Sequence, residues 1–233
     1  TKDKDLLIGT DGGGLSVWNR RLNRFTNYSH QTGNPGSLSH NAVIKMLEDH
    51  EGKIWVATYG GGINLFSKST GIFSTYPCID ESNGYENRFI SLLYEDRQHT
   101  IWASTFNDGQ LYRFDRASSR FIQFKDRILS NMVSMLEDRD GNLWAGNSGG
   151  LFRIDRSGKQ HQQFELGKPV RAIYEDRTGH FWLGTEGGGL LLFDRQKGSR
   201  LSQKKLDGFF CERQNCVAES RCSVLERRCK NLA

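Results

Sequence analysis

Apolar and polar residues alternate along this chain in short runs, and nearly every run stops at Gly, Asn or Asp. The stretch 41–76 shows the pattern: NAVIKMLE, IWVAT, GINLF and IFSTY are rich in Val, Ile, Trp, Phe and Tyr, and DHEGK and YGG interrupt them. Runs of this kind read as strands, here at 42–47, 54–58, 63–66 and 73–76. No segment holds a helical period over three turns. The pattern predicts an all-β protein.

The same phrase recurs. MLEDHEGKIWVATYGGGINLF, LYEDRQHTIWASTFNDGQLYRFD, MLEDRDGNLWAGNSGGLFRID and IYEDRTGHFWLGTEGGGLLLFD share one frame. An acidic pair begins at Glu48, Glu95, Glu137 and Glu175, and a tryptophan follows seven positions later at Trp55, Trp102, Trp144 and Trp182. The period shrinks from 47 to 42 to 38 residues while the core of the unit keeps its length, so the variation lies in connections. The chain opens inside such a unit, with Leu7 at the tryptophan position. Four-stranded units of about 40–45 residues are the mark of β-propeller blades. Beads on a string are the rival arrangement, but so small an all-β unit without disulfides cannot stand alone. The expectation is a propeller over 1–206, with a partial blade at 5–28 and full blades at about 41–77, 88–124, 131–165 and 169–206. The repeated Trp is expected to wedge between neighbouring blades.

On these motifs the chain resembles the two-component regulator propeller repeat; LEDRDGNLWAGNSGGLFRID carries the likeness most clearly. The resemblance runs from residue 5 to about 206. It implies the extracytoplasmic or periplasmic sensor region of a bacterial hybrid histidine kinase or related regulator. In that family such repeats build seven-bladed propellers, often two in tandem, followed by a further β domain, a membrane helix and the kinase. Those downstream parts are not in this sequence, so the resemblance implies a sensor fragment without phosphotransfer machinery, whose parent supplies further repeats and a histidine kinase.

Charge and cysteine set the last residues apart. The net charge of +5 comes from Lys197 onward, where nine Lys or Arg face four Asp or Glu; 23 of each sign precede it. A basic balance confined to one tail does not describe a nucleic-acid face. Cys211, Cys216, Cys222 and Cys229 crowd the same tail at a spacing unlike a zinc ribbon, and only Cys78 lies in the body. No metal or cofactor is expected. No run is long enough for a membrane helix, and TKDKDLLIGT lacks a signal pattern and an initiator Met, so the chain reads as a piece of something longer. The tail, 207–233, ends in VLERRCKNLA, which lies over MLEDRDGNLWA as a degenerate first strand. Pairing of that strand with the opening partial blade would close a five-bladed ring. The alternatives are an open arc of a larger propeller, or a sequence garbled by truncation or a frame error.

Paired carboxylates can do acid–base chemistry, yet an active site is asymmetric and Glu-Asp occurs in every unit. Asp49, Asp96, Asp138 and Asp176 are therefore expected to begin tight turns, accepting N–H groups two or three residues on, and to be structural together with Trp55, Trp102, Trp144 and Trp182. The glycine runs at 60–62 and 187–189 sit between strands with no helix or G-K-[ST] following, so hairpin turns with positive φ are expected rather than a phosphate loop. His50, His99 and His180 fall in the turn after the first strand, exposed and with no spacing suited to a metal.

Function is expected where the refrain breaks, on the propeller face made by the segments leading into each first strand and the turns joining the second and third. Asn41, Arg88, Asn131 and Arg171 come from the former; Tyr59, Asn107, Asp108, Ser148 and Glu186 come from the latter. Such a polar and aromatic rim suits an oligosaccharide or peptide ligand. The reading is a non-catalytic ligand-binding sensor propeller. A streptogramin-lyase-like propeller enzyme and a protein–protein scaffold are the alternatives: the first requires one cluster of His and acids at the central channel, the second a flat aromatic patch on an outer edge.

Overall fold

The computed structural model describes residues 1–107, 109–124, 127–157 and 160–200. Asp108 and the whole tail, with its cysteines and its strand-like end, lie outside the described residues. Nineteen strands and one short 3₁₀ turn, Arg127–Leu129, make up the described secondary structure.

The strands form five antiparallel sheets that follow one another along the chain. Blade 1 has three strands, β1 (Leu6–Thr10), β2 (Gly14–Asn19) and β3 (Arg24–Tyr28). Blade 2 has β4 (Val43–Glu48), β5 (Ile54–Thr58), β6 (Gly62–Ser67) and β7 (Ile72–Tyr76). Blade 3 has β8 (Ile90–Glu95), β9 (Ile101–Thr105), β10 (Leu111–Asp115) and β11 (Arg120–Phe124). Blade 4 has β12 (Ser134–Glu137), β13 (Leu143–Asn147), β14 (Gly150–Ile154) and β15 (Gln162–Phe164). Blade 5 has β16 (Val170–Glu175), β17 (Phe181–Thr185), β18 (Gly189–Asp194) and β19 (Ser199–Arg200). Each full blade is a meander in chain order, and β4, β8, β12 and β16 pack beside one another as the inner strands. This is propeller architecture.

The core lies between blades. Trp55 packs on Tyr76 of its own blade and on Phe114 and Phe121 of blade 3. Trp102 packs on Phe124 and joins Met135, Leu143 and Phe152 of blade 4 in one cluster. Trp144 meets Phe164 together with Phe181 and Phe193 of blade 5. Leu15, Val17, Ile54 and Phe66 fill the space between blades 1 and 2. A buried Trp removes roughly 200 Å² from water, worth on the order of 5 kcal/mol at about 25 cal/mol/Å² as an upper bound. This explains why a single blade needs its neighbour.

The β5–β6 and β17–β18 turns hold Gly60 at φ 94°, Gly62 at 79°, Gly187 at 70° and Gly189 at 68°, the left-handed backbone that Gly adopts freely. Three inner strands share a register shift near their start, between Val43 and Lys45, Ile90 and Leu92, and Val170 and Ala172. A bulge there bends the strand and re-aims the residue it skips.

Candidate functional site

The acidic pairs lie on the face formed by the turns between first and second strands. Asp49 Oδ1 accepts the N–H groups of Glu51 and Lys53 at 3.0 and 2.9 Å, and its Oδ2 accepts the Trp55 indole N–H at 2.9 Å. Asp96, Asp138 and Asp176 repeat that arrangement, with Trp102, Trp144 and Trp182 donating at 2.9, 2.8 and 2.9 Å. The backbone donors thus sit two and four residues on, where two or three was expected. Burial raises the Asp138 carboxyl, but the Trp144 indole, the Asn142 N–H and amide, and Arg195 outweigh it and hold the group below the usual 3.8. Asp176 is depressed by the same balance, with burial opposed by Thr178, Trp182 and the His180 N–H.

The glutamates have a different task, which sequence reading missed. Each one reaches back to the turn of the preceding blade. Glu48 Oε2 accepts the Lys2 N–H at 2.7 Å, Glu95 that of His50 at 2.9 Å, Glu137 that of Arg97 at 2.6 Å and Glu175 that of Arg139 at 2.7 Å. Arginines at the ends of third strands add to this lattice. Arg156 bridges Asp96 of blade 3, at 3.3 Å, to Glu137 of blade 4, at 3.1 Å. Arg195 bridges Asp138 at 2.8 Å to Glu175 at 2.9 Å. Every carboxylate of the refrain is thereby engaged in turn geometry or blade-to-blade contact, which leaves a poor general acid or base.

One position departs from the lattice. His50 and His99, expected as exposed turn residues with no spacing suited to a metal, stack with ring centroids 3.8 Å apart and planes at 22°. They belong to adjacent blades, and the near-equal repeat length brings equivalent turns side by side although the residues lie far apart in sequence.

The repeat-breaking residues lie on the other face. Tyr59 is 45% exposed, and its ring meets Phe89 and Phe106 edge-on at 5.0 and 6.2 Å. Next to it, the Arg88 carbonyl accepts the N–H groups of Gly60 and Gly62, and its guanidinium reaches Glu86 at 2.8 Å. Asn41 repeats the backbone role on blade 1, accepting from Gly12 and Gly14, while its Oδ1 takes the His30 N–H at 2.6 Å. Asn131 bonds Gly109 through backbone and side chain, Asn107 stands at φ 59°, and Ser148 is exposed in the β13–β14 turn. Arg171 and Glu186 meet as an exposed ion pair, Nε to Oε2 at 2.8 Å, with Arg171 at the β16 bulge. The structure therefore joins Arg171 to Glu186, sets Tyr59 beside Arg88, and leaves Asn41 tied into the backbone.

His30 and His40 lie near this rim and face backbone: His30 Nδ1 the Leu38 carbonyl at 2.9 Å, and His40 Nδ1 the Ala42 N–H at 3.1 Å. A cavity of about 600 Å³ lies along the side of blade 4, lined by Asn142, Arg153, Arg156, Gln160, His161 and Gln162.

The two-component regulator propeller model matches the chain at residues 37–60, 128–149 and 165–187. No curated protein matches it in sequence. Among solved structures, the extracellular domain of a hybrid two-component system from B. thetaiotaomicron superposes with a TM-score of 0.69 at 20% identity, over 82% of this chain and 26% of that one. PorZ, a surface component of the type-IX secretion system of Porphyromonas gingivalis, gives 0.63 at 15% identity, over 85% and 32%. Virginiamycin B lyase from Staphylococcus aureus gives 0.60 at 15% identity, over 86% and 70%. These likenesses establish the fold, and the chain spans about a quarter of the length of the two-component domain. With its Trp–Asp turns between stacked four-stranded blades, the chain is a β-propeller that carries three repeats matching the two-component regulator propeller model.

Proposed function

We propose that this chain is a non-catalytic, ligand-sensing part of an extracytoplasmic propeller in a two-component signalling protein, whose parent carries further repeats and a histidine kinase. The observation that carries the reading is the contrast between the two faces. On one, the acidic refrain is consumed by structure. On the other, Tyr59 breaks the refrain with a half-exposed aromatic ring held by Phe89 and Phe106 beside Arg88. A fixed aromatic face with neighbouring Arg and Asn groups suits a sugar ring or an extended peptide, each of which offers an apolar face and hydrogen-bonding edges. Asn107, Asn131, Ser148, and the Arg171–Glu186 pair extend the rim. Binding there would act by favouring one packing of this propeller against its neighbours, since a ligand shifts a conformational equilibrium only by its differential affinity for the two states. Among the described residues no helix is long and apolar enough to cross a membrane.

The test is a thermal-shift screen of neutral and acidic oligosaccharides and of short peptides, followed by Tyr59→Ala on any hit. The expected result is a saturable rise in melting temperature that Tyr59→Ala abolishes without altering the unliganded melt. Turnover of a bound compound would replace the sensor with an enzyme; a hit indifferent to Tyr59→Ala would move the site away from this rim.

A further inference from the structure

On the opposite face, the turn of blade 3 breaks the refrain in a costly way. In blades 2, 4 and 5 the fourth residue of the turn is Gly52, Gly141 or Gly179, at φ 83°, 81° and 88°. Blade 3 has His99 there, held at φ 62° where a residue with a Cβ is disfavoured. Blades 3, 4 and 5 place Arg97, Arg139 and Arg177 directly after the turn Asp, whereas blade 2 has His50. Both departures are to histidine, and the two histidines touch.

Between them lies Glu95. Its Oε2 is fixed by the His50 N–H at 2.9 Å, and its Oε1 stands 2.6 Å from His50 Nδ1 and 3.8 Å from His99 Nδ1. The three side chains each offer one donor atom, all within 4.8 Å of one another. In a tetrahedral site with metal–ligand distances of about 2.0–2.1 Å, neighbouring donors lie roughly 3.3 Å apart, so the distances found here bracket the value needed. His50 is 32% exposed and His99 55%, and the carboxylate between them is mostly buried at 12%. The site is therefore open to solvent on the imidazole side and fixed at its base.

The arginine that should complete the lattice has moved aside. Arg156 and Arg195 each reach the turn Asp of the preceding blade. Arg116 instead goes to Glu51 at 3.2 Å and to the His99 carbonyl at 3.2 Å, and stands 3.3 Å from His50 Nδ1 and 3.7 Å from Glu95. With Glu51 as its main partner, the guanidinium can remain at the edge while a cation takes Glu95 Oε1.

We infer that His50, Glu95 and His99 form a binding site for one divalent transition-metal ion, of which Zn²⁺ is the type, that staples blade 2 to blade 3. Two imidazole nitrogens and one carboxylate oxygen suit this class rather than Ca²⁺ or Mg²⁺, which take oxygen ligands. Each imidazole binds the metal through the lone pair of one ring nitrogen and keeps its N–H on the other, so protons compete with the ion and binding weakens as pH falls. One coordination position is left for water.

The experiment is calorimetric titration of the whole chain with zinc chloride, with melting curves at each zinc concentration. Cys211, Cys216, Cys222 and Cys229 are first replaced by Ser, so that they cannot compete for zinc. His50→Arg and His99→Gly restore the residues used by the other blades and provide variants whose turns the fold already accommodates. The expected result is one zinc per chain, a melting temperature that rises with zinc, weaker binding at lower pH, and no response to calcium. Each variant should weaken zinc by at least tenfold while melting, without metal, no lower than the native chain. An unchanged zinc response in both variants, or no zinc binding by the folded native chain, would overturn the assignment.

Discussion

Trp55 donates its indole N–H to Asp49 Oδ2 at 2.9 Å, inside the contact between blades 2 and 3. Both residues are about 1% exposed, and the other oxygen of Asp49 closes the turn that precedes β5. One carboxylate thus sets the loop and fixes the orientation of the ring that fills the neighbouring interface.

Asp49→Ala strands a buried indole N–H and two backbone N–H groups at once. Each buried donor left without a partner costs about 1–3 kcal/mol, and water entering the turn recovers part of that. The expected loss is about 2–4 kcal/mol, measured as a lower urea midpoint. Asp49→Asn keeps the turn acceptor but turns either a second donor or a rotated amide toward the indole, so it should fall between the two.

At His99 the direction reverses. His99→Gly removes a Cβ from a left-handed backbone position, an arrangement that costs of order 1–3 kcal/mol for a residue other than Gly. The freedom that Gly gains in the unfolded chain and the lost contact with His50 take back part of this. A net gain of about 1 kcal/mol is expected, a rise of roughly 2–4 °C in melting temperature for a chain of this size, checked by calorimetric scans in the presence of a chelator.

These two turns show what could be read from the sequence. The strands, the repeat and the Trp positions were legible because each depends on residues within one unit: alternation, a turn Asp, a glycine, a large ring. The back-reaching glutamates were not, because their donors belong to the turn of another blade and nothing in Glu-Asp distinguishes an acceptor for its own loop from one for a neighbour's. The His50–His99 contact was hidden for the same reason. Aligning the repeats position by position, and asking which departures fall in adjacent units on one face, would have found it. Arg171 and Glu186 are only 15 residues apart, but one lies at the start of β16 and the other in the turn after β17, and nothing in the spacing of the two residues pairs them.

Cys78 gives a direct probe of the interface between blades 2 and 3. It is 1% exposed and packs in the cluster that holds Trp55, Tyr112 and Phe121. Burial, with a smaller contribution from Glu86, raises its thiol far above the ordinary value, so little thiolate is available to react. Native protein treated with iodoacetamide at pH 8 should leave the peptide containing Cys78 unmodified in mass spectra, and denaturant should expose it. Labelling at the rate of a free thiol would mean that blades 2 and 3 separate readily in the native state.

Acid should unlock the turns. The carboxyls of Asp138 and Asp176 lie below the ordinary 3.8 in the folded chain, so the folded state holds their protons more weakly than the unfolded state does. The stability this linkage supplies is complete above the unfolded value, declines as pH falls below it, and is lost once the folded groups themselves protonate. The urea midpoint should therefore change little from these two groups between pH 5 and 7 and drop steeply below about pH 4. Asp138→Asn removes one of them together with the Arg195 contact, so the variant should start from a lower midpoint at pH 7 and lose less of it on acidification. A native profile that stays level to pH 3 would mean that the turn carboxylates are not ionised acceptors, and the Trp144 indole would need another partner.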